Sequence, residues 1–452
     1  MDALILSCGT GGGHNAAGAA IKEELIKRGY NVKFFNPYAL KSNRLARVID
    51  RAYVGLVQKA PNVFGVVYKI GNAYRKLPFH SPVYYANGRI AAIIEDYIQK
   101  NKCDIIIMPH LFPAEIITQM KRKGYELPPT VFVGTDYTCI PFTEETECDY
   151  YVIPAKDLEK EYIKRGIKKE KLRTFGIPVR EVFDHSINMD EAKLELGLSV
   201  SNRYILVSGG SIGAGNVEKV VKNLSDYYDG TNVKLIIICG NNKKLLNKLK
   251  DKYSEKCILI GHTNDIAKYM MASNLIIGKP GGLSSTEAAV VGKPFIHITP
   301  IPGCETYNMR YFYSKGMSIP VKRITEKFGK ICDKTMEEDN KKKMICQQKN
   351  NISANARILI GDMADELCKT DNGPESAKKA YLKIHPTTTV YPMAKASEPS
   401  TGSTPMASPV FLLPVLISVH FPNALIGPPF AALPNAISSI SPVEAIRITN
   451  KT

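Results

Sequence analysis

The 452-residue chain has no run of about twenty uninterrupted apolar residues, so a membrane-spanning helix is not expected. Its ten cysteines are scattered without a C-x-x-C pair. That argues against a zinc site and against a disulfide framework, and buried free thiols are expected instead. No secretory signal is legible at the start, where Asp2 stands in place of a basic n-region and the short apolar run breaks into glycines. Acid is scarce: 43 Asp and Glu face 60 Lys and Arg, a formal net charge of +17. Such an excess suits a polyanionic partner, nucleic acid or an anionic membrane face. No nucleic-acid-binding motif accompanies it, so nucleic acid is not expected. The expected location is cytoplasmic, with peripheral attachment to the inner face of the cell membrane.

Short apolar strands alternate with amphipathic helices, the pattern of an α/β chain with parallel sheets. Ala3–Cys8, Val32–Phe35, Asp104–Met108, Thr130–Gly134 and Tyr150–Ile153 read as strands of a first unit. Tyr204–Ser208, Lys234–Cys239, Cys257–Ile260, Leu275–Gly278 and Phe295–Ile298 read as strands of a second. Each unit opens with a strand, a glycine-rich turn and a helix, the first helix expected from about Ala16 to Lys27. The expected domains are 1–185 and 200–367, two Rossmann-like units facing a central cleft, with ligands outside the carboxyl ends of the strands. A short helix, Glu191–Gly197, is expected in the linker, and a last helix over Ile352–Leu367. Residues 369–452 are rich in Pro, Ser and Thr, and the apolar VFLLPVLISVHF is broken by Pro414. This tail reads as low-complexity and disordered.

Four glycine-bearing turns follow strands. Gly9-Thr10-Gly11-Gly12-Gly13-His14 lacks the Lys-Ser or Lys-Thr of a P-loop. It fits a dinucleotide fingerprint at Gly11–Ala16, but Phe35-Asn36-Pro37 stands where that fingerprint wants an acid. A tight turn presenting His14 at the cleft is the third reading, and a plain strand–helix turn with a solvent-facing His the fourth. Ser208-Gly209-Gly210-Ser211-Ile212-Gly213 is a weak phosphate signal. Gly278-Lys279-Pro280-Gly281-Gly282-Leu283-Ser284-Ser285-Thr286-Glu287 admits two readings. Ser284 and Glu287 have capping-box spacing. Alternatively the glycines and helix N-terminus hold a diphosphate while Glu287 accepts ribose hydroxyls. In Pro302-Gly303-Cys304-Glu305-Thr306-Tyr307-Asn308, Glu305 and Asn308 lie one helical turn apart, either binding sugar hydroxyls or simply solvated.

Taken in order over residues 1–367, these motifs resemble the processive diacylglycerol glucosyltransferases and the plant monogalactosyldiacylglycerol synthases of glycosyltransferase family 28. The resemblance implies a GT-B fold, a UDP-hexose co-substrate, inversion at the anomeric carbon, no metal and no further cofactor, and a diacylglycerol-type acceptor. It places the acceptor and membrane side in the first domain and the donor in the second. Gly209, Gly210, Gly281 and Gly282 would lie by the donor phosphates, Glu287 would hold the ribose, and Glu305 and Asn308 the transferred sugar. Gly12, Gly13, His14, His110 and Thr135-Asp136 would face the acceptor, with His14 and Asp136 as candidates for the catalytic base. Apart from the resemblance, Lys279 is a candidate to add a charge near the leaving group. Two positions depart from the family: Cys304 stands where a Gln is frequent, and Tyr137 where many relatives carry His. A polyprenyl-linked cell-wall precursor is the alternative acceptor, and a nucleotide-sugar sensor without turnover the alternative of another class.

The membrane expectation has its own support. Residues 41–80 hold eight Lys or Arg and one acid, Asp50, interleaved with Leu45, Val48, Tyr53, Leu56, Val57, Phe64, Val66, Val67 and Tyr68. Such a mixture suits docking on anionic lipid. The alternative is an ordinary solvated helix with its apolar side on the core.

Overall fold

The computed structural model describes residues 1–369 except 76–78, 185–186, 211–212 and 214–215. Two six-stranded sheets, every pairing parallel, carry the chain. The first contains β1 (Asp2–Leu6), β2 (Asn31–Phe35), β3 (Ile105–Met108), β4 (Thr130–Val133), β5 (Tyr150–Val152) and β6 (Leu172–Arg173), in the order β2-β1-β3-β4-β5-β6. The second contains β7 (Arg203–Ser208), β8 (Val233–Ile238), β9 (Cys257–Ile260), β10 (Leu275–Gly278), β11 (Phe295–Ile298) and β12 (Ile319–Val321), in the order β12-β11-β10-β7-β8-β9. The sequence pattern did not reveal β6 and β12. Both are edge strands of two or three residues, too short to show a period.

Each sheet is buried on both faces, as crossover helices require. In β1, Leu4 and Leu6 point into one core while Ala3 and Ile5 point into the other. In β7, Ile205 and Val207 face one core, Tyr204 and Leu206 its opposite. The last core also takes in Ala17 and Tyr137, so it runs across from the second sheet to the first half of the chain.

The linker helix is Met189–Glu195, capped by the Asn188 side chain on the Glu191 N–H. The final stretch departs from expectation. Ile352 ends one helix, Glu338–Asn351, and a separate helix covers Ala356–Lys369. Although it follows the second sheet in sequence, this helix packs on the first. Ile360, Met363, Ala364 and Leu367 join the core of Ala3, Ile5, Ile105 and Val131. Arg28 anchors it, pairing with Asp362 and Asp365 at 2.8 Å each and donating to the Ile358 carbonyl at 3.1 Å. The expected 200–367 unit therefore returns its last helix to the first sheet. The expected tail, beyond Lys369, lies outside the described residues.

In both sheets the strand order reverses beside the opening strand, between β1 and β3 and between β7 and β10. A crevice opens at such switch points. The glycine turns after β1, β7 and β10 all lie there.

Candidate active site

On the first sheet, the helix after β1 begins at Gly12, four residues before the expected start. Gly12, Gly13 and His14 thus form its first turn. Its N-cap, Gly11, sits at φ 150 and supplies no side-chain cap. His14 Nδ1 is 2.9 Å from the Pro109 carbonyl and 2.8 Å from Thr135 Oγ1. A carbonyl can only accept, so Nδ1 carries the proton and Nε2 is the unprotonated nitrogen. Burial lowers the His14 pKa; the Asp136 charge and the bond to Pro109 oppose it. The ring is therefore neutral near pH 7, a state suited to proton abstraction.

His110 is buried edge-on against His14, with ring centroids 4.6 Å apart. It caps the helix Leu111–Arg122, its Nδ1 accepting from the Phe112 N–H at 3.1 Å. That fixes the proton on Nε2, which donates to Thr10 Oγ1 at 2.7 Å. Burial, then the neighbouring His14, push its pKa well below the ordinary value. Both nitrogens of His110 are committed, so it supports the His14 ring rather than handling protons. A small cavity opens beside the pair, lined also by Leu111, Phe132, Asp136 and Tyr162.

The loop leaving β4 ties the two halves together. A Cβ on Gly282 would fall 1.9 Å from the Thr135 carbonyl oxygen, so only glycine fits there. The Tyr137 N–H donates to Asn308 Oδ1 at 2.6 Å, and Asn308 Nδ2 donates to Asp136 Oδ1 at 2.7 Å. The Tyr137 hydroxyl meets Thr286 Oγ1 at 2.8 Å, and its ring stacks on Tyr311 at 4.8 Å. Tyr137, noted in the sequence only as a departure, is the aromatic tie of this contact.

On the second sheet, the capping box does not form. The helix runs Gly282–Val291 with Gly281 at its N-cap and no side-chain cap. Ser284 Oγ donates to the Gly281 carbonyl at 3.3 Å, and Glu287 lies in the second turn, beyond reach of a capping role. The helix N-terminus is left without a side-chain acceptor, a setting that attracts an anion. Glu287 is buried, and burial raises its pKa to about 8 against partial relief from Arg180.

Glu305 and Asn308 are both buried, not solvated. Glu305 accepts from the Ile301 N–H at 2.7 Å and pairs with Lys279 at 3.0 Å. Lys279 in turn lies beside Gly210, whose φ of +70 requires glycine; a Cβ there would be 3.6 Å from Lys279 Cε. Lys279 therefore stands between the glycine turn after β7 and the Glu305 turn. Of the glycine turn after β7, Ser211 and Ile212 lie outside the described residues. Burial, with the Asp136 and Glu305 charges, holds Cys304 as a neutral thiol.

The basic-apolar segment forms two helices, Asn43–Lys59 and Pro61–Tyr74. The side chains of Val57 and Phe64 lie outside the described ones. Tyr68 is drawn inward toward Cys304, and burial above all, with the Asp136 charge nearby, raises its phenol pKa. Its inward role had no sequence signal, since it reads as one more apolar residue of a docking face.

Residues 14–179 match the monogalactosyldiacylglycerol (MGDG) synthase family, and residues 204–361 match the glycosyltransferase family 28 C-terminal domain. The chain is 24% identical over 370 residues to the processive diacylglycerol beta-glucosyltransferase of Bacillus subtilis, covering 80% of this chain and 94% of that one. It is 29% identical over 241 residues to the protein of that name from Staphylococcus carnosus, covering 53% and 58%. Among solved structures, Acinetobacter baumannii MurG superposes with a TM-score of 0.51 at 14% identity, covering 81% of this chain and 99% of MurG. The UDP-GlcNAc 2-epimerase of Neisseria meningitidis, solved bound to UDP-GlcNAc, gives 0.52 at 14% identity, covering 80% and 99%. These likenesses establish the GT-B fold. An epimerase shares it, so the fold does not name the reaction.

Proposed function

With an MGDG synthase domain followed by a family 28 C-terminal domain, the chain belongs to glycosyltransferase family 28 and is a hexosyltransferase; we propose that it moves a hexose from a UDP-sugar to diacylglycerol or a glycosyl-diacylglycerol, inverting the anomeric carbon. The observation that carries this reading is His14: a half-buried, neutral imidazole with Nδ1–H fixed on Pro109, beside Asp136 and a small cavity. His14 Nε2 takes the proton of the acceptor hydroxyl. The acceptor oxygen bonds to the anomeric carbon, and the bond from that carbon to the β-phosphate oxygen breaks. UDP leaves as the diphosphate, stabilised by the uncapped N-terminus of the Gly282 helix, the Gly209 and Gly210 backbone and Lys279. Glu287 accepts the ribose hydroxyls, and Glu305 and Asn308 hold the hexose. Asp136 orients the reacting groups, and its bond to Asn308 gives donor and acceptor sides a common member. The names of the curated relatives support a diacylglycerol acceptor, and the UDP-GlcNAc bound by the epimerase supports a UDP-sugar donor.

The membrane reading gains a geometry. Arg44, Arg47 and Arg51 are exposed at spacings of three and four, along one face of their helix. Val63 and Val66 are 41% and 55% exposed on the next helix, with Lys69 in line. Each basic residue near an anionic surface contributes roughly 1 kcal/mol. Among the described residues no helix is long and apolar enough to cross a membrane. Flotation with anionic vesicles at low salt should recover the full chain, and neutral vesicles should not; equal recovery on both removes this docking.

A panel of UDP-hexoses against diacylglycerol and its monoglycoside, with products weighed by mass spectrometry, tests the activity. A hexosylated diacylglycerol is the expected product. Transfer to a polyprenyl-linked acceptor alone, or donor binding without transfer to any lipid, would overturn the proposal.

A further inference from the structure

We propose that Tyr68, supplied by the first half of the chain, is a donor-positioning residue that seats the Pro302–Glu305 turn of the second half. This rests on the reading of Glu305 as a contact of the transferred sugar. Two glycines interlock at the contact. A Cβ on Gly65 would come 2.6 Å from Pro302 Cβ, and a Cβ on Gly303 would come 2.9 Å from Tyr68 Cδ2 and 3.0 Å from its Cγ. Each glycine makes room for the bulky residue of the other segment: Pro302 enters at Gly65, and the Tyr68 ring covers Gly303. The ring also leans on Tyr307, with centroids 6.4 Å apart and planes tilted by 37°.

The helix Pro61–Tyr74 has two faces. Gly65, Tyr68 and Gly71 recur every three residues on the inner one, and a Cβ on Gly71 would meet the Phe142 ring at 3.3 Å. Val63, Val66 and Lys69 recur likewise on the outer, exposed one. A helix needed only at a membrane has no use for an inner face built of glycines against another domain's turn.

The turn it covers has no side-chain cap of its own. Gly303 sits at φ +116, a region open mainly to glycine, and it caps the helix Cys304–Ser314 without a side-chain hydrogen bond. Glu305 follows two residues later, so the backbone that carries its carboxylate to the Ile301 N–H and Lys279 runs through Gly303. The Tyr68 ring holds Gly303 through the flat face of a rigid side chain. A residue placed this way acts on the sugar through Glu305 and has no reason to act on the nucleotide.

The test is calorimetric titration of the full chain with UDP, and with whichever of UDP-glucose and UDP-galactose binds more tightly. Tyr68→Ala should weaken the UDP-hexose about tenfold or more, as loss of alignment at a site does, while leaving UDP unchanged. Its KM for donor should rise more than its kcat falls. Tyr68→Phe keeps the ring and should restore binding. Gly65→Ala, which pushes Pro302 away, should show the same selective loss and serves if Tyr68→Ala does not fold. Glu305→Gln separates the two ideas. If it weakens the UDP-hexose selectively while Tyr68→Ala and Gly65→Ala weaken both ligands equally or neither, the role of Tyr68 is overturned. If Glu305→Gln changes neither ligand, the sugar contact itself is wrong, and the role of Tyr68 falls with it.

Discussion

The two sides of the cleft are built on opposite terms. On the first sheet, His14, His110, Thr10 and Thr135 satisfy one another with the Pro109 carbonyl, and the tautomers of both rings follow from those bonds. On the second, the Gly282 helix starts without a side-chain cap, and Glu287 is buried with its pKa raised. One side is complete before substrate arrives; the other holds requirements that a ligand can meet. The difference matches the two tasks. A proton acceptor must be set in one tautomer and one orientation beforehand. A nucleotide site gains affinity when the ligand supplies what the protein leaves open.

His14→Ala strikes the complete side and should have the largest effect, a fall in kcat of about 10²- to 10⁴-fold with donor affinity kept, read by steady-state kinetics and UDP titration. Loss of donor affinity without loss of turnover would reverse the assignment of the two sides. Glu287→Ala strikes the open side. It should raise the donor KM roughly tenfold to a hundredfold, in line with about 1–3 kcal/mol for ribose hydroxyls left without their buried partner, and change kcat less.

Glu287 also carries a stability signature. Its pKa of about 8 exceeds that of an ordinary carboxyl near 4.5. The folded protein keeps the proton that the unfolded chain releases, so stability is lost as pH rises across that window. Glu287→Gln removes the penalty. Its melting temperature should match wild type in acid and exceed it progressively toward pH 8. A constant gap would mean that the carboxyl is not held neutral.

Arg28→Ala tests the returning helix, away from the cleft. It should destabilise the protein by about 1–2 kcal/mol by denaturant titration, the order expected of a partly buried hydrogen-bonded charge cluster, without altering the donor KM. The smallest effect concerns pH. Burial lowers the His14 pKa, so His14 stays neutral to more acid pH, and the acid limb of kcat should fall below the ordinary histidine value of about 6.5. A limb above it would point to a different base.

Much of the cleft was legible because glycine turns after strands have a local cause. Strand, turn and helix each follow from a few neighbouring residues, and the motifs follow one another along the chain. The capping-box reading of Ser284 and Glu287 failed for a local reason too: Gly281 and Gly282 start the helix early enough to leave the box no place. Other features had no local sign. His110 reads as a second active-site histidine, yet its Nδ1 is spent on capping Phe112 and its Nε2 on Thr10. Lys279 gained its place from Gly210 and Glu305, remote in sequence.

The sequence by itself determined two parallel α/β units, the glycine turns that end their leading strands, and the residue types offered to a sugar nucleotide. Period and turn chemistry act over a few residues, so they survive without the fold. Only the tertiary structure decided that the Ala356 helix returns to the first sheet, that Asp136 and Tyr137 grip Asn308, and that Tyr68 covers Gly303. Those contacts join segments more than a hundred residues apart. They depend on side-chain shape and on the absence of a Cβ at one point in space, which no spacing along the chain records.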